Sequence, residues 1–323
     1  MINISNTYLN SLPQLGHLQA TVFIASHNHI RNIWIDDLPI GITELDLEDN
    51  NLRSDGLLEE LPNSILKLNL SYNRIYSLEQ TDRWPSRLVS LNLSNTNLSG
   101  VFQAGYLPDT LEFLNISNTR VSRIHKFPKS LKEFLASKTQ LKILPEVCNH
   151  LIEKIVVSHA GMTNWGLPYY WGKSLKFLDL NSNGINKFPE NLPEGLEFIN
   201  LSSNSIQEIG DLPKSVKIIH LNYNRILKIP EWFDTFFTIQ NNCLLEMPTI
   251  GNCLTASYQW IGEEYSSAAK LIQRIWYKRR LIRIVRTLYR TARVKSELLS
   301  LAMHPDRALR FEDYSREWKS SVP

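Results

Sequence analysis

Cysteine and histidine, which often carry nucleophilic catalysis and transition-metal binding, number only 3 and 8 in this 323-residue chain and are scattered along it. Cys148, Cys243 and Cys253 are too few for a disulfide framework and lack the paired CxxC spacing of a zinc site. His27 and His29 could hold a metal ion as a pair, but solvated surface histidines are the favoured interpretation. There is no GxxxxGK[ST] or GxGxxG phosphate loop, no HExxH motif and no GxSxG elbow. The sequence therefore predicts no enzyme, no cofactor and no metal site.

The dominant pattern is instead a repeated phrase, LxxLxLxxNxL. Clean copies lie at Ile42–Leu52, Ile65–Ile75, Leu175–Ile185, Leu196–Ile206 and Val216–Ile226. Weaker copies replace the asparagine with Thr96, Thr119, Thr139 or Ala160. With further copies around Asn28 and Asn242 and a half-copy at Thr7, twelve units are predicted, 18 to 23 residues apart.

This repeat dictates a stacked architecture. Side chains alternate along a strand, so the two leucines of each LxL core point inward and the residues beside them point outward. One unit cannot bury its apolar face alone, whereas neighbouring units bury it between them in a parallel sheet. Proline recurs in the second half of the unit, as in Leu61-Pro62 and Leu212-Pro213, which favours an extended return over a helix. The asparagine is predicted to satisfy backbone groups where the chain leaves the strand, and threonine to do so more weakly.

The phrase LPxSLxxLxLxxNxI, as in 61–75 and 212–226, resembles the short bacterial-type leucine-rich repeat of secreted effector proteins. The resemblance covers roughly residues 1–250 and implies a leucine-rich-repeat horseshoe with a concave parallel β-sheet and a mostly extended convex side. Some proteins of that class carry a C-terminal ubiquitin ligase domain. That activity is not expected here, because Cys253 lies beside the last repeat without a cysteine-acid motif.

Outward positions on the concave face are the third and fifth residues of each phrase. Several of them are apolar and predict a protein-binding strip: Phe113, Leu135, Val156, Phe177, Phe198, Ile218 and Phe236. The alternative is that these side chains only pack on one another between adjacent strands. The loop 164–173, NWGLPYYWGK, adds a second candidate surface with four aromatic residues: Trp165, Tyr169, Tyr170 and Trp171. These rings are interpreted equally as binding anchors or as a cover over the core.

The repeats end near residue 250, residues 251–265 are predicted to close the solenoid and form a linker, and residues 266–323 form an α-helical basic tail. Residues 265–296 contain ten Lys or Arg and no Asp or Glu, although the net charge of the whole chain is only +3. Between 278 and 293 the arginines recur on one face of the predicted amphipathic helix: Arg279, Arg283, Arg286, Arg290 and Arg293. The tail is predicted to cap the last repeat or to bind a calmodulin-like protein, an anionic membrane or nucleic acid.

Two further resemblances concern the tail and the origin of the chain. AAKLIQRIWYKRR is similar to the IQ calmodulin-binding motif through Ile272 and Gln273, although Tyr277 and Lys278 replace the expected arginine and glycine. The repeats and tail together resemble leucine-rich-repeat proteins of giant amoebal viruses, which implies a host-facing or virion role. The sequence shows neither a signal peptide nor a transmembrane stretch, so an intracellular, cytoplasmic protein is expected. The leading function is binding a host or viral protein, with a tail-based adaptor and a structural virion component as alternatives.

Overall fold

The computed structural model describes residues 1–53, 61–78, 84–102, 107–145, 151–230, 236–244 and 253–255. All of them belong to the first of the two units into which the chain divides, Met1–Gln259. The predictions for the basic tail, including Ile272, Gln273 and the five arginines, lie outside the described residues.

Thirteen short strands form one long, wholly parallel sheet in which each strand pairs with the corresponding strand of the neighbouring repeat. In order across the sheet these are β1 (Ile2–Asn3), β2 (Val22–Ile24), β3 (Glu44–Asp46), β4 (Lys67–Asn69), β5 (Ser90–Asn92), β7 (Phe113–Asn115), β9 (Glu133–Leu135), β10 (Lys154–Val156), β11 (Phe177–Asp179), β12 (Phe198–Asn200), β13 (Ile218–His220), β14 (Phe236–Thr238) and β15 (Cys253–Thr255). The remaining two strands, β6 (Ser99–Phe102) and β8 (Arg120–Ile124), form a second small parallel sheet.

The core lies behind the long sheet and consists of apolar columns that run from repeat to repeat. In the third repeat, the side chains of Ile42, Leu45, Leu47 and Leu52 are all almost completely buried, and the corresponding residues of the other repeats lie beside them. The predicted alternation is therefore confirmed, because the leucines of LxL face this core and the residues on either side of the first one face away from it. The third and fifth positions together form what we call the open face of the sheet.

A left-handed turn follows every strand of the phrase and fixes the repeat register. The residue before each predicted asparagine position has a positive φ of 52° to 57°: Asn6, His27, Asp49, Tyr72, Asn95, Asn118, Lys138, His159, Ser182, Ser203, Tyr223 and Asn241. After this turn the asparagine side chain enters the core. The amide of Asn73 donates to the carbonyls of Leu47, Leu70 and Ser71, and its oxygen accepts from the Leu52 amide at 3.0 Å.

The central repeats lack part of this network, as the sequence predicts for threonine. The hydroxyls of Thr96, Thr119 and Thr139 each donate to the carbonyl three residues earlier, at 2.7 to 2.9 Å. None of these hydroxyls reaches the carbonyl of the preceding repeat that an asparagine amide reaches. The asparagines therefore join adjacent repeats, whereas the threonine hydroxyls bond only within their own turn.

The return segments are extended, as the prolines predict. Among the described residues they contain two short 3-10 helices, Ile35–Asp37 and Asn164–Gly166, and no α-helix. The prolines also have a role that the sequence analysis missed, because their carbonyls accept from the amide three residues later. Pro62 with Ile65 and Pro213 with Val216 show this turn, which directs the chain into the next strand.

Candidate protein-binding face

The apolar residues predicted on the open face form two staggered groups. Phe177 pairs with Phe198 and Phe198 with Ile218 in one column, and this column continues to the backbone of Phe236. Leu135 and Val156 pair in the other column. The prediction of one contiguous strip is therefore wrong. Phe113 lies in the same column as Phe177, but the ion pair of Glu133 and Lys154 lies between the two phenylalanines and separates them.

The centre of the larger group is a stacked aromatic pair. The rings of Phe177 and Phe198 are 4.3 Å apart between centroids and within 6° of parallel, and the Lys154 ammonium lies 5.7 Å from the Phe177 centroid. Next to them Ile218 is 36% exposed. The stacking confirms that these rings pack against each other, while both rings stay half-buried at the surface.

A ladder of alternating charges runs beside the phenylalanine column, and the sequence analysis missed it. The second residues of six successive phrases are Glu112, Lys132, Glu153, Lys176, Glu197 and Lys217. Lys132 contacts Glu112 at 2.8 Å, Lys176 contacts Glu153 at 3.0 Å, and Lys217 contacts Glu197. These groups are largely open to solvent, which screens the charges, so each pair contributes little to stability. The alternation was visible in the sequence, but only once the register placed these residues beside one another.

Polar side chains occupy the open face on β3, β4 and β5, between the apolar Val22 and Ile24 of β2 and Phe113 of β7. A shallow hollow of about 340 Å³ spans β2 to β7 and ends at Phe113. Its polar side chains bond to one another: Lys67 pairs with Glu44 at 2.7 Å, and the Asn69 amide donates to Asp46 at 3.0 Å and to Glu48 at 3.2 Å. The polar groups of the open face thus lie on β3 to β5, and the stacked aromatic pair lies on β11 and β12.

Comparison with known proteins supports the same architecture. YopM from Yersinia enterocolitica WA-314 superposes with a TM-score of 0.55 at 21% identity, over 79% of this chain and 59% of that one. The leucine-rich effector protein YopM from Yersinia pestis gives 0.53 at 20% identity, over 76% of this chain and 70% of that one. The fold is that of a leucine-rich repeat solenoid.

Similarity to other leucine-rich repeat chains is more distant or more local. The functional domain of InlJ from Listeria monocytogenes superposes with a TM-score of 0.50 at 14% identity, over 76% of this chain and 64% of that one. Toll-like receptor 2 type-1 of Gallus gallus is 29% identical over 110 residues, which are 32% of this chain and 14% of the receptor. No family model matches the sequence.

In this leucine-rich repeat solenoid the predicted aromatic loop divides into exposed and buried residues. Trp165 is 95% exposed in the 3-10 helix, and Tyr169 and Tyr170 are more than half exposed, with their rings edge to face at 4.6 Å. Trp171 instead belongs to the core at 7% exposure, and its indole Nε1 donates to the Glu190 carbonyl. The core interpretation therefore holds for Trp171, whereas the other three rings face solvent.

The chemistry-bearing residues of the sequence are dispersed in the structure. The side chain of His27 contacts Asp49 at 2.9 Å, and its hydrogen bond to that carboxylate raises the pKa of His27. His29 contacts the Tyr8 ring instead. Within the described part of the chain, no three His, Cys, Asp or Glu side chains are arranged to hold a metal ion. The same residues include no helix that is long and apolar enough to cross a bilayer.

His220 gives the open face a pH-dependent element. Its Nδ1 is 2.9 Å from the Thr238 hydroxyl and its ring meets the edge of Phe198 at 5.4 Å. Burial lowers the pKa of His220 below 6.5, and the nearby Asp179 carboxylate opposes this only in part. The folded state thus favours the neutral ring. The stability linked to this shift is fully present above the unfolded pKa near 6.5 and is lost as the pH falls through the lower, folded pKa.

We expect the urea midpoint of the wild-type chain to fall between pH 7 and pH 5 by more than that of His220→Gln, which keeps a donor for Thr238. Urea unfolding at several pH values measures the difference between the two chains. Parallel curves over this range would show that His220 does not contribute to the pH dependence.

Proposed function

We propose that this solenoid is a protein-interaction module that binds its partner through the stacked aromatic pair of the open face. The observation that supports it best is the stack of Phe177 on Phe198, two half-buried rings at the surface, beside the exposed Ile218. Large apolar side chains held rigidly at a surface lose little conformational entropy on binding, and aromatic residues are enriched among the side chains that dominate interface energies. The charge ladder alongside supplies a polar rim of the kind that surrounds such interfaces.

The test compares the full chain with a Phe177→Ser, Phe198→Ser variant in affinity capture followed by quantitative mass spectrometry. A partner that binds the stack should lose at least about tenfold in affinity, since hot-spot side chains each contribute 2 kcal/mol or more. The matched control is Ile35→Ser, Ile40→Ser, which removes two residues that are 51% and 58% exposed on a return segment. Equal capture by all three chains would exclude the stack as the binding site.

The alternatives from the sequence stay proposals of their own. The tail could bind a calmodulin-like protein, an anionic surface or nucleic acid, and this depends on residues outside the described part. The IQ-like residues Ile272 and Gln273 lie there too. Loss of capture in an Arg283→Glu, Arg286→Glu variant, with the stack variant unaffected, would favour the adaptor. Virion association, the cytoplasmic location and the absence of catalysis also remain predictions.

A further inference from the structure

The return segments of the central repeats carry several exposed cations. Arg120 and Arg123 on β8, Lys126 beyond it and Lys142 on the next repeat are all exposed and form no ion pair with a described residue. In residues 97–102, 107–110, 120–130, 140–145 and 161–173 the single carboxylate is Asp109, and Lys129 pairs with it. The described residues of these segments are therefore mainly basic, in contrast to the paired charges of the open face.

Exposed apolar side chains lie on the same segments, repeat after repeat. Val101, 40% exposed, pairs with Arg123 between β6 and β8. The Gln140 amide donates to the Val121 carbonyl at 3.0 Å, which places Ile143, 47% exposed, on the adjacent repeat. The Leu144 amide donates to the Gly166 carbonyl at 2.9 Å, so Trp165 lies on the repeat after that of Ile143. Four neighbouring repeats thus present one outward strip, defined by Val101, Arg120, Arg123, Lys142, Ile143 and Trp165.

We propose that this strip is a docking surface for an anionic phospholipid membrane. Arginine and lysine attract anionic headgroups, and tryptophan and tyrosine rings reside at the boundary between headgroups and acyl chains. Tyr169 and Tyr170, four and five residues after Trp165 in the chain, add two such rings, which pack edge to face. Nucleic acid would use the cations and rings as well, but it offers nothing for the aliphatic Val101 and Ile143. A bilayer interface accommodates all of these side chains together. This inference is independent of the proposed protein-binding face.

The experiment is co-sedimentation of the full chain with phosphatidylcholine vesicles that contain or lack phosphatidylserine. Arg120→Glu, Arg123→Glu should weaken binding to the anionic vesicles at least about twentyfold, given about 1 kcal/mol per basic residue near the surface. Trp165→Ala should weaken it about tenfold by removing an inserting ring. Both changes affect exposed side chains, so an unchanged urea midpoint will verify folding.

The chain offers matched controls for both variants. Arg225 and Lys228 occupy the same repeat positions as Arg120 and Arg123 on a later repeat, and they are exposed and without an ion pair among the described residues. Arg225→Glu, Lys228→Glu therefore makes the same charge change outside the strip. Trp34→Ala removes a 59% exposed tryptophan at the other 3-10 helix. The basic tail is present in every variant and contributes equally.

The result expected is a loss of vesicle binding in the strip variants and none in the controls. Equal losses of vesicle binding in the strip and control variants would overturn the proposal. For the charge variants, such a result would mean that binding depends on net charge alone. It would also be overturned if the Arg120, Arg123 variant lost binding to single-stranded RNA while keeping vesicle binding, which would make the strip a nucleic-acid surface. Wild-type chain that fails to bind anionic vesicles would overturn it outright.

Discussion

Replacement of Gly166 by alanine is expected to lower the free energy of unfolding by about 3–5 kcal/mol, because there is no room for a methyl group. A Cβ at this position would lie 1.8 Å from the carbonyl oxygen of Lys142 and 3.1 Å from Cγ of Met162. Gly166 is buried, and its carbonyl accepts from the Leu144 amide of the preceding repeat. The backbone of two repeats must therefore separate before alanine fits.

The control for this prediction is Gly195→Ala. A Cβ there would lie 3.4 Å from the Lys173 carbonyl, which a shift of a few tenths of an ångström relieves, so a change within about 1 kcal/mol is expected. Urea unfolding followed by circular dichroism measures both variants. A Gly166 variant as stable as the Gly195 variant would contradict the close approach. Gly166 and Trp165 belong to the same 3-10 helix, so the substitution should also loosen that helix and the position of the exposed Trp165 ring.

The sequence was sufficient to predict the solenoid because each repeat has the same spacing of apolar residues and asparagine or threonine. The spacing of Leu45, Leu47 and Asn50 already specifies which side chains enter the core and where the chain turns. It also placed Phe177 and Phe198 on the outward columns, since a strand permits only two faces. Repetition thus makes local pattern a reliable guide to long-range pairing in this chain.

The fate of single side chains in irregular segments was not predictable in the same way. Trp165 and Trp171 lie six residues apart in one loop, yet one is almost fully exposed and the other is buried. The difference arises from the 3-10 turn at Gly166 and from the hydrogen bond of Trp171 to Glu190, and neither follows from a repeat rule. The break between Phe113 and Phe177, in contrast, could have been read from the register, because Glu133 and Lys154 occupy the third positions of the two phrases between them. The structure adds the ion pair that joins these two residues.

The asparagines contribute more to stability than the threonines that replace them, and Asn73→Ala should show it most clearly. Asn73 is 3% exposed and bonds to four backbone groups, of which those of Leu52 and Leu47 belong to the preceding repeat. Alanine leaves the Leu52 amide and the Leu70 carbonyl without a partner, whereas the Leu47 carbonyl keeps the Asn50 side-chain amide and the Ser71 carbonyl keeps the Asp49 amide. At about 1–3 kcal/mol for each of the two unsatisfied groups, a loss of about 2–5 kcal/mol is expected. Thr119→Ala removes one hydrogen bond, to the Ile116 carbonyl, and should cost about 1 kcal/mol.

Hydrogen exchange at the Leu52 amide distinguishes this explanation from a general loss of packing. That amide donates to the Asn73 side chain, so its protection should fall sharply in Asn73→Ala and also in Asn73→Thr, which keeps only the bond within its own turn. Stability should be intermediate in the threonine variant, because the Leu70 carbonyl retains a donor while the preceding repeat loses its partner. If Asn73→Thr kept both the stability and the Leu52 protection of the wild type, the asparagine would not be the link between repeats. The central repeats would then be no weaker than those at either end, despite their threonines.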